Sequence, residues 1–335
     1  MYNIAIIGCG YWGPNLIRNF NSLKEARVKT VCDKDRKRLN HMKELYPSVE
    51  IIDDFEKVIN DDEIHGIAIA TPVFSHYKLA MASLKAGKHT FIEKPMASSV
   101  AECEELIELA KKNNLVLMVG HVFLYSPPVL KIKELIDSKD IGEVFYISMR
   151  RLNLGLFQKD INVAWDLAPH DISIALYLLD ENPISVNCQG QSHVNRKIED
   201  ITNISLNFKS GKFATIQSSW IDPRKIREIT IVGSKKMVVY DDTEPLEKIK
   251  VYDKGVSVPP HYDTFAEFQY SYHYGDINIP LIKQTEPLKV ECQDFIDSIK
   301  NKTVPLADGV IGLEVVKILE ASSKSLRDGG AEIKN

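Results

Sequence analysis

The chain has 335 residues, 44% of them hydrophobic and 26% charged, with a net charge of −4. That length exceeds what one hydrophobic core usually serves, so two domains are expected. A near-neutral balance without a long run of one sign excludes an electrostatic footprint for nucleic acid or acidic membrane, and no apolar run approaches the ~18 residues of a membrane span.

The N-terminus runs into a strand pattern with no basic stretch ahead of an apolar signal core, which predicts a cytoplasmic protein. The cysteines Cys9, Cys32, Cys103, Cys188 and Cys292 are scattered without CxxC spacing. Reduced thiols are expected rather than disulfides or a metal site. Cys9 reads as a small apolar residue in a tight loop, not as a nucleophile.

In chain order, Tyr2–Ile7, Val28–Cys32, Gly66–Ala70, His89–Ile92 and Leu115–Val119 are short apolar runs, as in a parallel sheet covered on both faces. Helical patterns lie between them. One spans Pro14–Phe20, with proline suited to a first turn. Another starts near Ser99, where Ser99-Val100-Ala101-Glu102 fits a capping box and Lys111 and Lys112 suit the C-terminal end. This alternation predicts a doubly wound α/β domain.

The character changes after Gly120. Pro127-Pro128 marks a break or a helix start, and a helix is predicted over Val129–Asp137. Strands follow at Val144–Arg151, Ile184–Gly190, Ile201–Phe208, Lys212–Trp220, Ile226–Val232 and Lys236–Tyr240, with Gly211 and Gly233 punctuating hairpins. Helical patterns occupy Asp166–Leu179, Leu288–Lys300 and Val310–Arg327. An antiparallel sheet with helices on one face fits. The polar stretch Asp241–Tyr262 is expected to be a mobile loop or insertion. The predicted division is 1–122 for the first domain and 123–335 for the second.

Gly8-Cys9-Gly10-Tyr11-Trp12-Gly13 has GxGxxG spacing, follows a strand and opens a helix. Glycines there permit the turn, the approach of backbone to a pyrophosphate, and close helix–strand packing, while helix N–H groups meet the phosphates. Asp33 ends the second strand run, where an acid accepts hydrogen bonds from the adenosine ribose hydroxyls and repels a 2′-phosphate. The cofactor is therefore expected to be NAD rather than NADP. Lys34, Arg36 and Lys37 could offset part of that repulsion, or simply form a solvated helix start.

Three further segments can carry chemistry. Thr71-Pro72, with His76 following, ends a strand run at the edge that faces the ligand crevice; His76 by itself also suits a helix cap. Glu93-Lys94-Pro95 ends the next run. Lys94 can donate to a substrate hydroxyl or its developing oxyanion, Glu93 can bind a ribose hydroxyl or pair with Lys94, and a cis Pro95 would fix the direction of Lys94. A surface salt bridge explains the same residues. Asp166 and His170 stand four apart, on one face if helical, and an acid beside an imidazole makes a proton acceptor. A capping pair explains them equally. Asp171 reads as a cap or a local hydrogen-bonding residue.

Together the glycine loop, Thr71-Pro72 with His76, Glu93-Lys94-Pro95 and Asp166…His170 resemble the Gfo/Idh/MocA family of sugar and polyol oxidoreductases over essentially the whole chain. The resemblance implies an N-terminal Rossmann NAD-binding domain and a C-terminal α+β domain with a large open, mostly antiparallel sheet that binds substrate and forms oligomer contacts, as a homodimer or homotetramer. It implies that Gly8, Gly10, Tyr11, Trp12, Gly13, Asp33, Thr71, Pro72, His76, Glu93 and Lys94 border the cofactor. It also implies that Lys94 and His170 flank the carbon that exchanges hydride, with Asp166 binding the hydroxyl or orienting the histidine. Whether His170 or Lys94 is the formal base stays open. A narrower resemblance rests on Arg151-Leu152-Asn153-Leu154-Gly155, Trp165–Asp171, Tyr274-Gly275-Asp276 and Glu286-Pro287-Leu288. It is to a branch encoded with bacterial polysaccharide genes, whose enzymes oxidise C3 of UDP-N-acetylglucosamine or its uronic acid. Arg151, Asn153, Asn162 and Arg224 could then meet a diphosphate, carboxylate or sugar hydroxyl, or serve as surface or strand-pairing residues. The alternatives are a dehydrogenase of a free polyol or sugar such as an inositol, and a non-catalytic NAD-dependent regulator.

Overall fold

Short apolar runs become the strands of the first sheet. In chain order the elements are β1 (Tyr2–Ile7), α1 (Gly13–Asn21), β2 (Ala26–Cys32), α2 (Arg36–Leu45), β3 (Glu50–Ile52), α3 (Phe55–Ile59), β4 (Gly66–Ile69), α4 (His76–Lys85), β5 (His89–Glu93), α5 (Val100–Lys112) and β6 (Leu117–Gly120). All six strands are parallel, in the order β3-β2-β1-β4-β5-β6. Every residue of β4 and β6 is buried, as both-face coverage demands. The order reverses between β1 and β4, which opens a crevice beyond their C-terminal ends. The structure is a computed structural model, and it describes residues 1–257 and 271–334.

The second sheet has nine strands. The chain continues through α6 (Pro127–Asp137), β7 (Val144–Leu154), α7 (Val163–Leu179), β8 (Pro183–Gln191), β9 (Ile201–Phe208), β10 (Phe213–Ser219), β11 (Ile221–Gly233), β12 (Met237–Asp241), β13 (Ile249–Ser257) and β14 (Ser271–Asn278). It ends with α8 (Pro287–Asn301), α9 (Gly309–Arg327) and β15 (Ile333–Lys334). The strand order is β14-β13-β12-β11-β7-β10-β9-β8-β15, antiparallel except where β10 meets β7. The buried α7 packs on β7, β9 and β10. Gly211 and Gly233 stand at the turns of the antiparallel pairs β9–β10 and β11–β12, as expected.

Two expectations need correction. As far as the structure describes it, Asp241–Tyr262 is a loop only over residues 242–248: Ile249–Ser257 pairs with β12 on one side and β14 on the other. Residues 258–262 lie outside the described residues. The polar composition misled because this strand stands near a sheet edge, where few of its side chains are buried. The chain also does not divide once. One unit comprises Met1–Ser126 and Thr285–Glu320, and the other Pro127–Gln284 and Ala321–Asn335. The chain returns to the first unit with α8 and most of α9.

Aromatic packing explains that return. Phe295 of α8 meets Phe20 of α1 and Phe91 of β5 at centroid distances of 6.1 and 6.0 Å, edge to face. A β-carbon at Gly66 would lie 3.1 Å from the Phe295 ring, so β4 and α8 are already at contact. Arg18 of α1 forks onto Glu286 just ahead of α8. At the start of α5, the Ser99 hydroxyl caps Glu102 N–H at 3.3 Å, but the Glu102 carboxylate reaches Ser98 N–H rather than that of Ser99. The predicted box is thus shifted by one residue on its return arm.

Phe295→Ala removes the centre of the aromatic trio and should cost about 3–5 kcal/mol in urea-induced unfolding. The exposed Val310→Ala, on α9, should stay within about 0.5 kcal/mol of the parent.

Candidate active site

The glycine loop leaves β1 and turns at Gly8, whose φ is +98°. A β-carbon there would lie 2.6 Å from the Ala70 carbonyl oxygen and 3.0 Å from Thr71 Cγ2. The turn therefore runs directly against the Thr71-Pro72 segment, across the strand-order reversal. A β-carbon at Gly13 would run into the Gly8 carbonyl, whereas one at Gly10 would meet nothing nearer than Arg38 Nη1 at 3.9 Å. The loop is thus closed on its inner side and open at Gly10. Helix α1 begins here with Trp12 at the cap position and no side chain bonded to its first N–H groups. An uncapped helix start beside an open glycine is a ready site for a pyrophosphate.

Asp33 stands at the end of β2 with its side chain 9% exposed. Its Oδ2 accepts the Cys9 N–H at 2.6 Å and its Oδ1 accepts the Asp35 N–H at 2.8 Å. The glycine loop and the acid are therefore locked together. Carboxylate oxygens accept more than one bond each, so Asp33 can still receive ribose hydroxyls. Sequence reasoning named Lys34, Arg36 and Lys37 as nearby cations, but Arg38 is the one whose guanidinium approaches, 4.0 Å from Asp33. The signal was available: Arg38 is three residues beyond Asp35, which caps α2. Lys34 instead donates to the Asp53 carbonyl. Burial, with the Asp33 charge second, pushes the Cys9 thiol up to about 12, which suits an inert thiol. Tyr11 and Trp12 sit at the mouth of the loop, with rings edge to face at 5.7 Å and Tyr11 exposed.

His76 is not available as a direct cofactor ligand. Its Nδ1 lies 2.9 Å from the Pro95 carbonyl and its Nε2 2.7 Å from the Thr71 carbonyl. The buried ring ties the Thr71-Pro72 turn to the Lys94-Pro95 loop. Burial lowers its pKa below the ordinary value against the pull of the two carbonyls. The Lys94–Pro95 peptide is cis.

Glu93 also departs from expectation. It faces the interior, where Gly120 at the end of β6 leaves room: a β-carbon there would lie 2.9 Å from Glu93 Oε2. Burial pushes its carboxyl up to about 7, opposed by the charge of Lys94. Sequence reasoning missed two neighbours. Burial drives His121 down to about 3, with Lys94 adding to the effect. Glu291 of α8 is fully buried, with neither carboxylate oxygen hydrogen-bonded, and is pushed well above the usual range by burial and then by Glu93. Nothing in a helical pattern marks a glutamate at a buried position as functional.

In the second unit, Asn162 caps α7. Its Oδ1 accepts the Trp165 N–H at 3.2 Å and its Nδ2 donates to Glu199 Oε2 at 2.9 Å. The expected substrate contact gives way to a structural clasp. Asp166 lies in the first turn and His170 one turn on, so the helical spacing does put them on one face. Pro169 sits inside the helix and, lacking an N–H, offers no donor to the Trp165 carbonyl. Trp220 Nε1 donates to Asp166 Oδ2 at 3.0 Å. Arg151, expected at the substrate, is buried and grips Asp171 with two bonds, Nε to Oδ2 at 3.1 Å and Nη2 to Oδ1 at 2.7 Å. Asp171 is thus a long-range ion-pair partner rather than a local cap. Asn153 is half-buried near the end of β7, and Arg224 is exposed on β11.

A glutamic acid that is neutral in the fold but ionised when unfolded costs stability as pH rises. For Glu93 the loss begins near the ordinary value of 4.5 and is complete near 7. It amounts to roughly 3 kcal/mol. Glu93→Gln should flatten the pH dependence of urea unfolding over that window, with the gain over the parent larger at pH 8 than at pH 4.

Two family models match the chain: "Oxidoreductase family, NAD-binding Rossmann fold" over residues 2–121 and "GFO/IDH/MocA C-terminal domain" over residues 129–239. The chain is 23% identical to myo-inositol 2-dehydrogenase of Thermotoga maritima over 339 residues, covering 97% of this chain and 96% of that one. It is 25% identical to UDP-N-acetylglucosamine 3-dehydrogenase of Acidithiobacillus ferrooxidans over 257 residues, 76% of each. A solved structure of the latter superposes with a TM-score of 0.80 at 21% identity, covering 98% of both chains. An aldose-aldose oxidoreductase from Caulobacter crescentus superposes with a TM-score of 0.84 at 20% identity, covering 100% and 99%. With an uncapped helix start, an open glycine and a locked acid at the strand ends that the first model covers, the chain belongs to the Gfo/Idh/MocA family and is an NAD-binding oxidoreductase of sugars or polyols.

Proposed function

We propose that the chain reversibly oxidises a secondary alcohol, at C3, of a UDP-N-acetyl sugar or its uronic acid, within bacterial surface polysaccharide synthesis. The observation that carries the chemistry is the acid and imidazole one helical turn apart on α7. The bound nicotinamide supplies the hydride acceptor. The Gly8–Gly13 loop and the start of α1 would hold the pyrophosphate of NAD, and Asp33 its adenosine ribose. His170 takes the hydroxyl proton, and its low exposure keeps water from competing. Asp166 holds the imidazole. Lys94, at the end of β5, stabilises negative charge on the reacting oxygen. The sugar nucleotide is supported by the likeness to UDP-N-acetylglucosamine 3-dehydrogenase. Buried, unpaired cysteines suit a reducing cytoplasm, and apolar side chains exposed on β7 and β8, Phe145, Tyr146 and Ile184, suit a homodimer or homotetramer.

A free polyol is the second reading. It is favoured by the match to myo-inositol 2-dehydrogenase, which runs along nearly the whole chain.

Absorbance of NADH should separate the two when UDP-N-acetylglucosamine, its uronic acid and myo-inositol are offered with NAD: turnover of the inositol alone removes the first reading. Lys94→Ala and His170→Ala should each lower kcat by ~10²- to 10⁴-fold. Full turnover in either variant would contradict the role assigned to that residue. NAD should be preferred over NADP, and Asp33→Ala should narrow the preference.

A further inference from the structure

We propose that Trp220 is the positioning residue for Asp166, holding its carboxylate in register for the imidazole one turn along α7. This rests on the role given to Asp166 above. Trp220 is 1% exposed and stands in the corner between β10 and β11. A buried indole has one polar atom, which donates and never accepts. Here that atom meets Asp166 Oδ2 at 3.0 Å. A hydrogen bond from a buried donor to a part-buried carboxylate is directional and helps to fix the plane of the carboxylate.

The surroundings keep the indole in place. The backbone N–H of Trp220 donates to the Asp200 carbonyl at 2.9 Å, and the backbone carbonyl of Trp220 accepts the Gly155 N–H at 2.9 Å. The Asp200 carboxylate is in turn pinned by the N–H groups of His193 and Val194 at 2.7 and 2.8 Å, and by His193 Nδ1 at 2.8 Å. Gly155 lies just past the end of β7. A β-carbon there would come within 2.8 Å of Trp220 Cδ1 and 3.1 Å of Asn153 Nδ2. The Phe157 ring also packs on the indole, with centroids 5.4 Å apart. The segment Arg151–Gly155 thereby gains a purpose that does not involve touching substrate. Arg151 anchors α7 through Asp171, and Gly155 makes space for the side chain that orients Asp166. The Asn162–Glu199 clasp stops the first turn of α7 from swinging away.

A double-mutant cycle on the full chain tests this, with NAD and UDP-N-acetylglucosamine and, in parallel, NAD and myo-inositol. Trp220→Phe keeps a ring and loses the N–H. It should lower kcat by ~10- to 100-fold, the usual cost of a small misplacement, with KM for NAD unchanged. In an Asp166→Asn background the same change should cost less than about twofold, because a residue acting through Asp166 has nothing left to position. Gly155→Ala, which pushes the indole without removing its donor, should show the same pattern if Trp220→Phe folds poorly. Penalties that multiply, or a kcat equal to the parent, would overturn the proposal. If Asp166→Asn itself turns over like the parent, the role of Asp166 falls and this inference falls with it. If neither compound is turned over by the parent, the substrate reading has failed, and the indole N–H resonance of Trp220 in 15N-tryptophan-labelled protein decides instead. Asp166→Asn should move it and speed its exchange, and an unmoved resonance would overturn the proposal.

Discussion

The close approach of the Gly8 turn to the Ala70 carbonyl is the constraint on which the first unit is organised. In the parallel order β3-β2-β1-β4-β5-β6 the connections run in opposite directions from β1 and β4, which leaves a crevice beyond their C-terminal ends. A side chain at residue 8 would force those ends apart. Because none is present, the loop, Thr71 and, through the His76 bridge, the Lys94-Pro95 turn form one connected rim. Asp33 joins the same rim by accepting the Cys9 N–H. The residues proposed to meet NAD are therefore pre-set by contacts with one another, which would lower the ordering cost of binding.

Charge is handled differently in the two units. Beneath the rim, Glu93, His121 and Glu291 are buried, and burial favours the uncharged form of each. Lys94 opposes that tendency at Glu93 and reinforces it at His121. In the second unit the buried charges are matched: the Arg151 fork meets both oxygens of Asp171, an arrangement in which geometry offsets desolvation. That pair holds α7 to β7, and α7 presents Asp166 and His170. A structural ion pair and the proposed chemical pair thus share one helix, which the ion pair anchors.

This division of labour bears on substrate recognition. Arg151 and Asn162 are polar residues near the proposed chemistry, yet both spend their hydrogen bonds on the protein. Glu286, in another segment read as resembling the nucleotide-sugar branch, pairs with Arg18 and Asn19 and fastens α8. Such segments track the fold. They support family membership more strongly than they support any particular sugar.

What the sequence determined by itself were the features written in local spacing. Five of the six parallel strands with helices α1 and α5, the glycine loop with its acid, the hairpins at Gly211 and Gly233, and the helical placement of Asp166 and His170 follow from periodicity and turn chemistry within a few residues, whereas the short β3 and helices α2, α3 and α4 carried no such signal. Tertiary structure alone decided the long-range partners. It turned Glu93 inward, engaged both nitrogens of His76, tied Arg151 to Asp171, brought Trp220 to Asp166 and returned α8 to the first unit. The physical reason is the same in each case. A polar side chain or an apolar helix face records that it must be satisfied, but not by which distant residue, and that choice is made only when the whole chain packs.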